Sequence, residues 1–570
     1  MNEWVQFRLL TVHFFRRFFD NDLLTPGADP HAVVVRALGL LATPGMMIAF
    51  YLMPRYAELA FRPPRVMAMA VRLDAMLFMT IAMSIMGFVA ALEWEALFPD
   101  RTDYIILTPL PVRQRTAFTA KVASLAGFLL LFTIAINLMP GVLFPLISGT
   151  RVPGFFHSIE MMVHDVALNG AILFAGSAFI FFASMAIQGI LMNGLPERWY
   201  RVASGYAQFL LMGAMVTFLL LYPRASMLLR PGQRLTMLRW YPPAWFVALS
   251  DEWMGRGDML SGPLAHRAVL GLEWSAGLAA IFYAMAYRRY VGQSLESRQE
   301  GGRESWVGRF KEFVFARILT RHPIELGVSL FTFNTLVRSR AHKLIFEAYM
   351  GVAAALVVWE LVSLFARRSY AVAFDPIPEL LCIPLVLSFL LLSSMRAVFA
   401  KPSELRANWL FRLAENKDSP KGLEAAAKVM LLLGVLPVTI PLLPLHAWLW
   451  GWPVALIHLA YTALLALILR GALLLNFRKV PFTCTFAPAG PDGVVWGTVY
   501  FFIFTTYAYS MAHLEHWLFG HTWRLINCFA VLGAVLVLIE WVRRELLHED
   551  RFLIFEDAIE PTVRTLGLGQ

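Results

Sequence analysis

The sequence predicts an all-α polytopic membrane protein with about twelve transmembrane helices, arranged as two tandem six-helix halves. Three observations lead there. Mean hydropathy is +0.61, and 58 % of the 570 residues are hydrophobic, spread along the whole chain. Soluble domains are roughly half apolar, so lipid must be the solvent for most of this surface. Apolar runs long enough to cross a bilayer, about 20 residues as a helix, recur from end to end, and one order of features occurs twice.

Residues 1–31 precede the first run. Here Trp4, Phe7, Leu10, Phe14 and Phe18 are interleaved with Arg8, His13 and Arg17. Aromatic residues mixed with arginine suit an amphipathic helix in the membrane interface or one packed on the protein. Arg8, Arg16, Arg17, Asp20 and Asp22 leave no apolar signal-peptide core, so the first span is expected to serve as its own insertion signal. The first half, 32–288, holds expected spans at 32–53, 74–93, 122–148, 166–192, 203–222 and 266–288. A linker and second pre-span helix follow at 289–342, opening with the polar, Gly-containing stretch Ser294–Gly308. The second half, 343–545, holds spans at 343–366, 378–398, 428–446, 452–476, 495–513 and 524–545, and 546–570 form a tail.

Between the second and third spans lies Glu93–Lys121. It is charged at its start and apolar at Tyr104, Ile105, Ile106 and Leu107, and it carries Pro99, Pro109 and Pro111. Proline fixes φ, removes a donor and pushes the preceding residue out of the helical region. A short rigid helix bracketed by turns is therefore expected, of the kind that transmits force to a soluble partner. The second half has a counterpart. Ala-Lys-Val at 120–122 opens the third span after Phe98–Arg101, and Ala-Lys-Val at 427–429 opens the ninth after Lys401–Glu404. Parallel repeats of this kind place a transport route between the halves.

The positive-inside rule orients the chain with both termini cytoplasmic. The basic linker 289–342, the loop 399–427, the tail from Arg543 and Glu93–Lys121 then share the inner side. Arg55, Arg62, Arg65 and Arg72, in the loop 54–73, are placed outside against the rule. Either the first apolar run, interrupted at Pro44–Gly45, is a re-entrant hairpin, or the other loops outvote this one, which is the reading favoured. The net charge of +10 reflects this bias rather than nucleic-acid binding. Cys382, Cys484 and Cys528 lie far apart and make neither a disulfide framework nor a thiolate metal site.

Trp94–Tyr104, with Leu107–Arg113 after it, resembles the cytoplasmic coupling segment of bacterial ABC exporter permeases of the type-2 export class. The stretches Thr335–Lys343 and Glu404–Leu413 are similar to parts of the large, fused, twelve-span members. The resemblance implies a permease subunit in a bacterial cytoplasmic membrane, whose short helices dock into separate ATP-hydrolysing subunits, two copies per chain. It implies Phe98, Tyr104, Leu107 and Leu110 as pocket fillers, Asp100, Arg101, Asp103 and Arg113 as a polar rim, and Pro99, Pro109 and Pro111 as stiffeners. In the second half Arg406, Trp409, Phe411 and Arg412 would take corresponding roles. That loop lacks the Pro-Leu-Pro end, a departure from the first.

No G-x-x-x-x-G-K-[ST] occurs, so no P-loop cradles phosphates here. The chain is expected to bind no cofactor and to do no covalent chemistry, with ATP and Mg on the partner. His513, His516 and His521 cluster near Glu515 as weak metal candidates, without the H-E-x-x-H spacing. Of the ionisable residues within spans, namely Arg36, Glu273, Glu360, Arg470 and Glu540, Arg470 and Glu273 lie deepest and are candidates to meet. Asp251, Glu252 and Trp253, beside Trp240–Pro243, suggest a structured interfacial loop within 223–265. Two rivals remain. A secondary transporter needs midplane ion-coupling charges on broken helices, and a membrane-embedded lipid-modifying enzyme needs an acid–base or metal cluster near one interface.

Overall fold

The computed structural model describes residues 3–18, 30–59, 61–98, 107, 111–149, 159–228, 235–255, 257, 261–293, 322–367, 375–403, 405–409, 411, 420–475, 477, 479–484 and 493–549. These residues are helical with short turns and contain no β-strand. Among the described residues, ten helices are long and apolar enough to cross a membrane. The expected spans 32–53 and 495–513 fall on two further helices, Pro30–Leu59 and Gly493–Leu518, which are not among those ten. The chain divides into two compact units, Met1–Gln299 and Glu300–Gln570.

The first unit runs α1 (Glu3–Arg17), α2 (Pro30–Leu59), α3 (Pro64–Leu92), α4 (Trp94–Leu97), α5 (Gln114–Gly149), α6 (Ile159–Gly194), α7 (Glu197–Leu228), α8 (Pro242–Trp253) and α9 (Ser261–Gln293). Its axis is α3, whose most apolar window is 67 % buried. Met76, Met79, Met83 and Met86 form the inner face of α3, and unbranched thioethers fill irregular gaps between helices. A Cβ at Gly176 of α6 would run into Met79, and one at Gly87 would run into Met215 of α7. These glycines set how closely the neighbours approach. Likewise α2 meets α5 where a Cβ at Gly45 would lie 2.9 Å from Pro140 Cδ.

Two of the four arginines in 54–73 are paired within this unit. Arg55 donates to the buried Asp74 at 3.0 Å, and the Tyr56 hydroxyl donates to the same carboxylate at 2.9 Å. Arg72 meets Asp251 at 2.7 Å, which ties α8 to the start of α3. The expected loop around Asp251 is thus largely helix. Pro242 and Pro243 start α8 without needing their missing donors, and Phe246, Val247 and Leu249 are buried.

The second unit runs α10 (Pro323–Arg338), α11 (Arg340–Arg367), α12 (Pro378–Phe399), α13 (Pro420–Met430), α14 (Leu436–Trp450), α15 (Trp452–Leu474), α16 (Gly493–Leu518) and α17 (Thr522–Glu549). Its axis is α12, whose apolar window is 72 % buried; that of α17 is 0 % buried. A π-turn, Leu431–Val435, joins α13 to α14. Pro437 follows directly; its ring cannot donate and crowds the carbonyl one turn back, which widens the helix there. Arg470 has a partner within this unit. It pairs with Glu540 of α17, which also accepts from Arg543 at 3.0 Å. Two ionised side chains inside the apolar region thereby satisfy a third.

Candidate coupling surface

Helix α3 stops at Glu93, and stopping a helix leaves its last carbonyls without partners. Neighbouring helices supply donors to the carbonyls around this turn. Gln208 Nε2 of α7 donates to the Ala91 carbonyl at 2.6 Å, and Gln188 Nε2 of α6 donates to that of Trp94 at 2.6 Å. Lys121 Nζ of α5 donates to that of Ala96 at 3.0 Å. The Trp94 indole N–H donates in turn to Ser204 Oγ at 2.7 Å. Three helices therefore clamp the short α4 through side chains that read as anomalies in apolar spans.

Lys121 is itself buried, with Nζ 5.1 Å from the Phe14 ring centre and 5.2 Å from that of Phe18. A buried ammonium needs compensation, and two aromatic faces and a carbonyl provide it. The same contacts hold α1 against α5. Phe14 and Phe18 form the packed edge of α1, while Trp4, Leu9 and Val12 are exposed on another. At the far end of the loop, Gln6 Nε2 donates to the Pro111 carbonyl at 3.2 Å, and Arg113 pairs with Glu3. The Tyr287 hydroxyl of α9 donates to the Gln114 carbonyl at 3.1 Å. Both ends of the loop are thus fixed to the bundle.

Pro99, Asp100, Arg101, Asp103, Tyr104, Pro109 and Leu110 lie outside the described residues. Leu107 is a half-buried helical residue, and Pro111 and Arg113 are exposed. One expectation needs correction. Phe98 is 3 % exposed, its ring centre 5.1 Å from that of Tyr283, so it packs in the unit's own core and is not presented to a partner. The reason is local: Leu97 and Phe98 follow a clamped turn and extend its apolar face inward.

The second unit anchors its corresponding loop differently. Lys428 of α13 donates to the buried Glu325 of α10 at 2.5 Å, so an acidic residue takes the place of the aromatic pair around Lys121. Beyond α12, the segment 479–484 returns to the loop. Phe482 N donates to the Phe399 carbonyl at 3.1 Å, and Ser403 N donates to that of Phe482 at 3.0 Å. Asn408 Nδ2 donates to the Thr483 carbonyl at 2.6 Å. His342 Nε2 donates to the Lys401 carbonyl at 2.9 Å while Ser339 donates to Nδ1 at 2.5 Å, which sets a neutral tautomer. Trp409 is 59 % exposed; Phe411 is half-buried, its ring centre 5.2 Å from that of Phe331. Arg412 and the Arg406 side chain lie outside the description.

The expected histidine cluster does not converge. His513 donates to the Tyr509 carbonyl at 3.0 Å and His516 to that of Pro376 at 2.9 Å, and both are exposed, as is His521. No group of three or more His, Cys, Asp or Glu among the described residues is set to hold a metal. The residues that sequence reasoning missed are Gln188, Gln208, His446 and His458. A lone amide or imidazole in an apolar run was the available signal, because such a group must find a partner in the bundle.

No protein-family model, curated protein or solved structure matches this chain.

Proposed function

We propose that this chain is the transmembrane permease subunit of an ATP-binding-cassette exporter in a bacterial cytoplasmic membrane. Its two units act as six-span halves, twelve spans in all, with α2 and α16 completing the ten, and both termini are cytoplasmic. The observation that carries this reading is the anchored base of the loop 93–121. Its ends are held by α1, α5, α6, α7 and α9 through Gln6, Lys121, Gln188, Ser204 and Tyr287. A push on a loop with both ends fixed is delivered to several helices at once, as coupling to a soluble motor requires. The matching use of Lys121 and Lys428 to fasten the preceding amphipathic helix supports a second such point in the other unit.

In this reading the partner ATPases bind ATP and Mg, and the chain does no covalent chemistry. Closure of the ATPase pair displaces the loops, and the two halves reorient around a central route. The docking contacts come from Tyr104, Leu107 and Leu110, with Asp100, Arg101, Asp103 and Arg113 setting register. Phe98 secures the base. Gentle detergent purification followed by mass spectrometry should find a separate P-loop ATPase bound to the chain. Asp100→Arg and Tyr104→Ala should each abolish that association while membrane insertion stays intact. Undiminished assembly in both variants would remove the docking role, and ATP-independent transport by the purified chain would instead select the secondary-transporter reading.

A further inference from the structure

Within the second unit, away from the loop base, three helices bring titratable side chains together in an apolar surround. His458 of α15 and Glu515 of α16 are both fully buried, and His446 of α14 is 5 % exposed. His458 Nδ1 lies 2.9 and 3.0 Å from the two Glu515 carboxylate oxygens. That leaves His458 Nε2 and His446 Nδ1, both buried and without a hydrogen-bond partner among the described residues. The two rings are 5.0 Å apart. Trp450 stacks on His446 at 4.6 Å and 18°, and meets the His458 ring edge-on at 5.5 Å.

We propose that Glu515, His458 and His446 form a buried proton-binding site that ties together one end of α14, α15 and α16. The argument is a charge count. A carboxylate with two neutral imidazoles carries a net negative charge in an apolar interior. Two extra protons would make it positive, and an isolated charge of either sign is costly there. One added proton makes the group neutral overall. It turns His458 into an imidazolium facing the carboxylate on Nδ1 and carrying a hydrogen on Nε2, with the His446 ring centre 5.0 Å from its own.

Other facing groups do not supply the missing charge. Tyr461 of α15, Tyr507 of α16, Cys382 of α12 and Cys528 of α17 line the adjoining cluster, and both side-chain types are neutral near pH 7 in their ordinary state. The carboxylates of Glu360 on α11 and Glu379 on α12 act on Cys382 and are of the wrong sign to neutralise Glu515. A proton is favoured over a metal ion because Glu515 already holds the His458 nitrogen that faces it, leaving two donors.

The site also has a place in the helix ends. His446 precedes the turn at Gly451 (φ +82°), and Glu515 precedes the turn at Gly520 (φ +85°). When this end separates and admits water, the carboxylate is solvated, the proton passes to water, and the three helices are released. Rebinding the proton closes them.

Trp450 provides the readout, since an imidazolium quenches a touching indole more strongly than a neutral imidazole does. The full chain in lipid nanodiscs, wild type and W450F, is titrated from about pH 5 to about pH 9, spanning the ordinary histidine range. The wild-type-minus-W450F emission should rise with pH as a single one-proton transition. H446Q and H458Q should each remove it, and E515Q should lower its midpoint by about one unit or more, because the anion that favours the imidazolium is gone. A flat difference trace in protein with an unchanged size-exclusion profile overturns the proposal, and needs only W450F to fold. A midpoint unmoved in folded E515Q, or a transition abolished by a chelator, overturns it equally, the latter by assigning a metal.

Discussion

Lys121 and Lys428, each within an Ala-Lys-Val run, show how one residue type is stabilised in two ways. The first lies against Phe14 and Phe18 with a carbonyl at its head, the second against Glu325. Their burial costs are offset differently, so their substitutions should differ. Lys428→Met leaves the buried Glu325 carboxylate without its counter-charge and should destabilise the protein by about 3–5 kcal/mol. The double variant Glu325→Leu/Lys428→Met removes both charges and should recover most of that loss. Thermal unfolding in one detergent checks it, and a double variant no more stable than Lys428→Met would mean that the pair is not what holds α10 to α13. The Ala-Lys-Val motif was legible in the sequence, but the partner of each lysine was not. The side-chain partners Phe14, Phe18 and Glu325 lie more than a hundred positions away, brought in by each unit's own packing.

Short elements carry much of the information that periodicity missed. Helix α8 is twelve residues long, too short for a span and apolar on most sides, so it read as interfacial loop. Its identity comes from packing against α3, α6 and α9. The return segment 479–484 is a second case, because no local pattern marks it. Phe482 sits there at φ +67°, a conformation that costs a side-chain-bearing residue about 1–2 kcal/mol. It is held by ring contacts with Phe331 at 6.0 Å, His342 at 4.6 Å and Phe399 at 5.7 Å. Phe482→Ala loses the ring but keeps the strain, whereas Phe482→Gly loses the ring and relieves it. Glycine should therefore be the less damaging substitution by about 1 kcal/mol, reversing the usual order. Denaturation midpoints of the two variants provide the test, and alanine proving the more stable would show that the backbone relaxes on its own.

For the whole molecule, two tandem units raise a question of stoichiometry. Each unit anchors the loop after its second long helix, but by different means and with different exposed residues, Trp409 in the second being the largest. If both loops dock, native mass spectrometry should find two ATPase copies per chain. Trp409→Ala should then reduce the bound number toward one, while Tyr104→Ala acts on the other site. An unchanged ratio in Trp409→Ala would confine coupling to the first unit or to other residues of the second loop.

Hydrophobicity and its spacing were enough to determine that this is an all-helical, multi-pass membrane protein, because lipid leaves the backbone few ways to satisfy its polar groups except within a helix. The absence of a P-loop motif was equally plain in the residues. Only the tertiary structure decided which polar side chains meet. It placed Phe98 inside, paired Arg470 with Glu540, and turned Glu515 from an expected surface cluster onto His458. The reason is physical. Span positions are set by local hydrophobicity, whereas the partner of a buried charge is set by helix rotation and register, which emerge only when the helices pack.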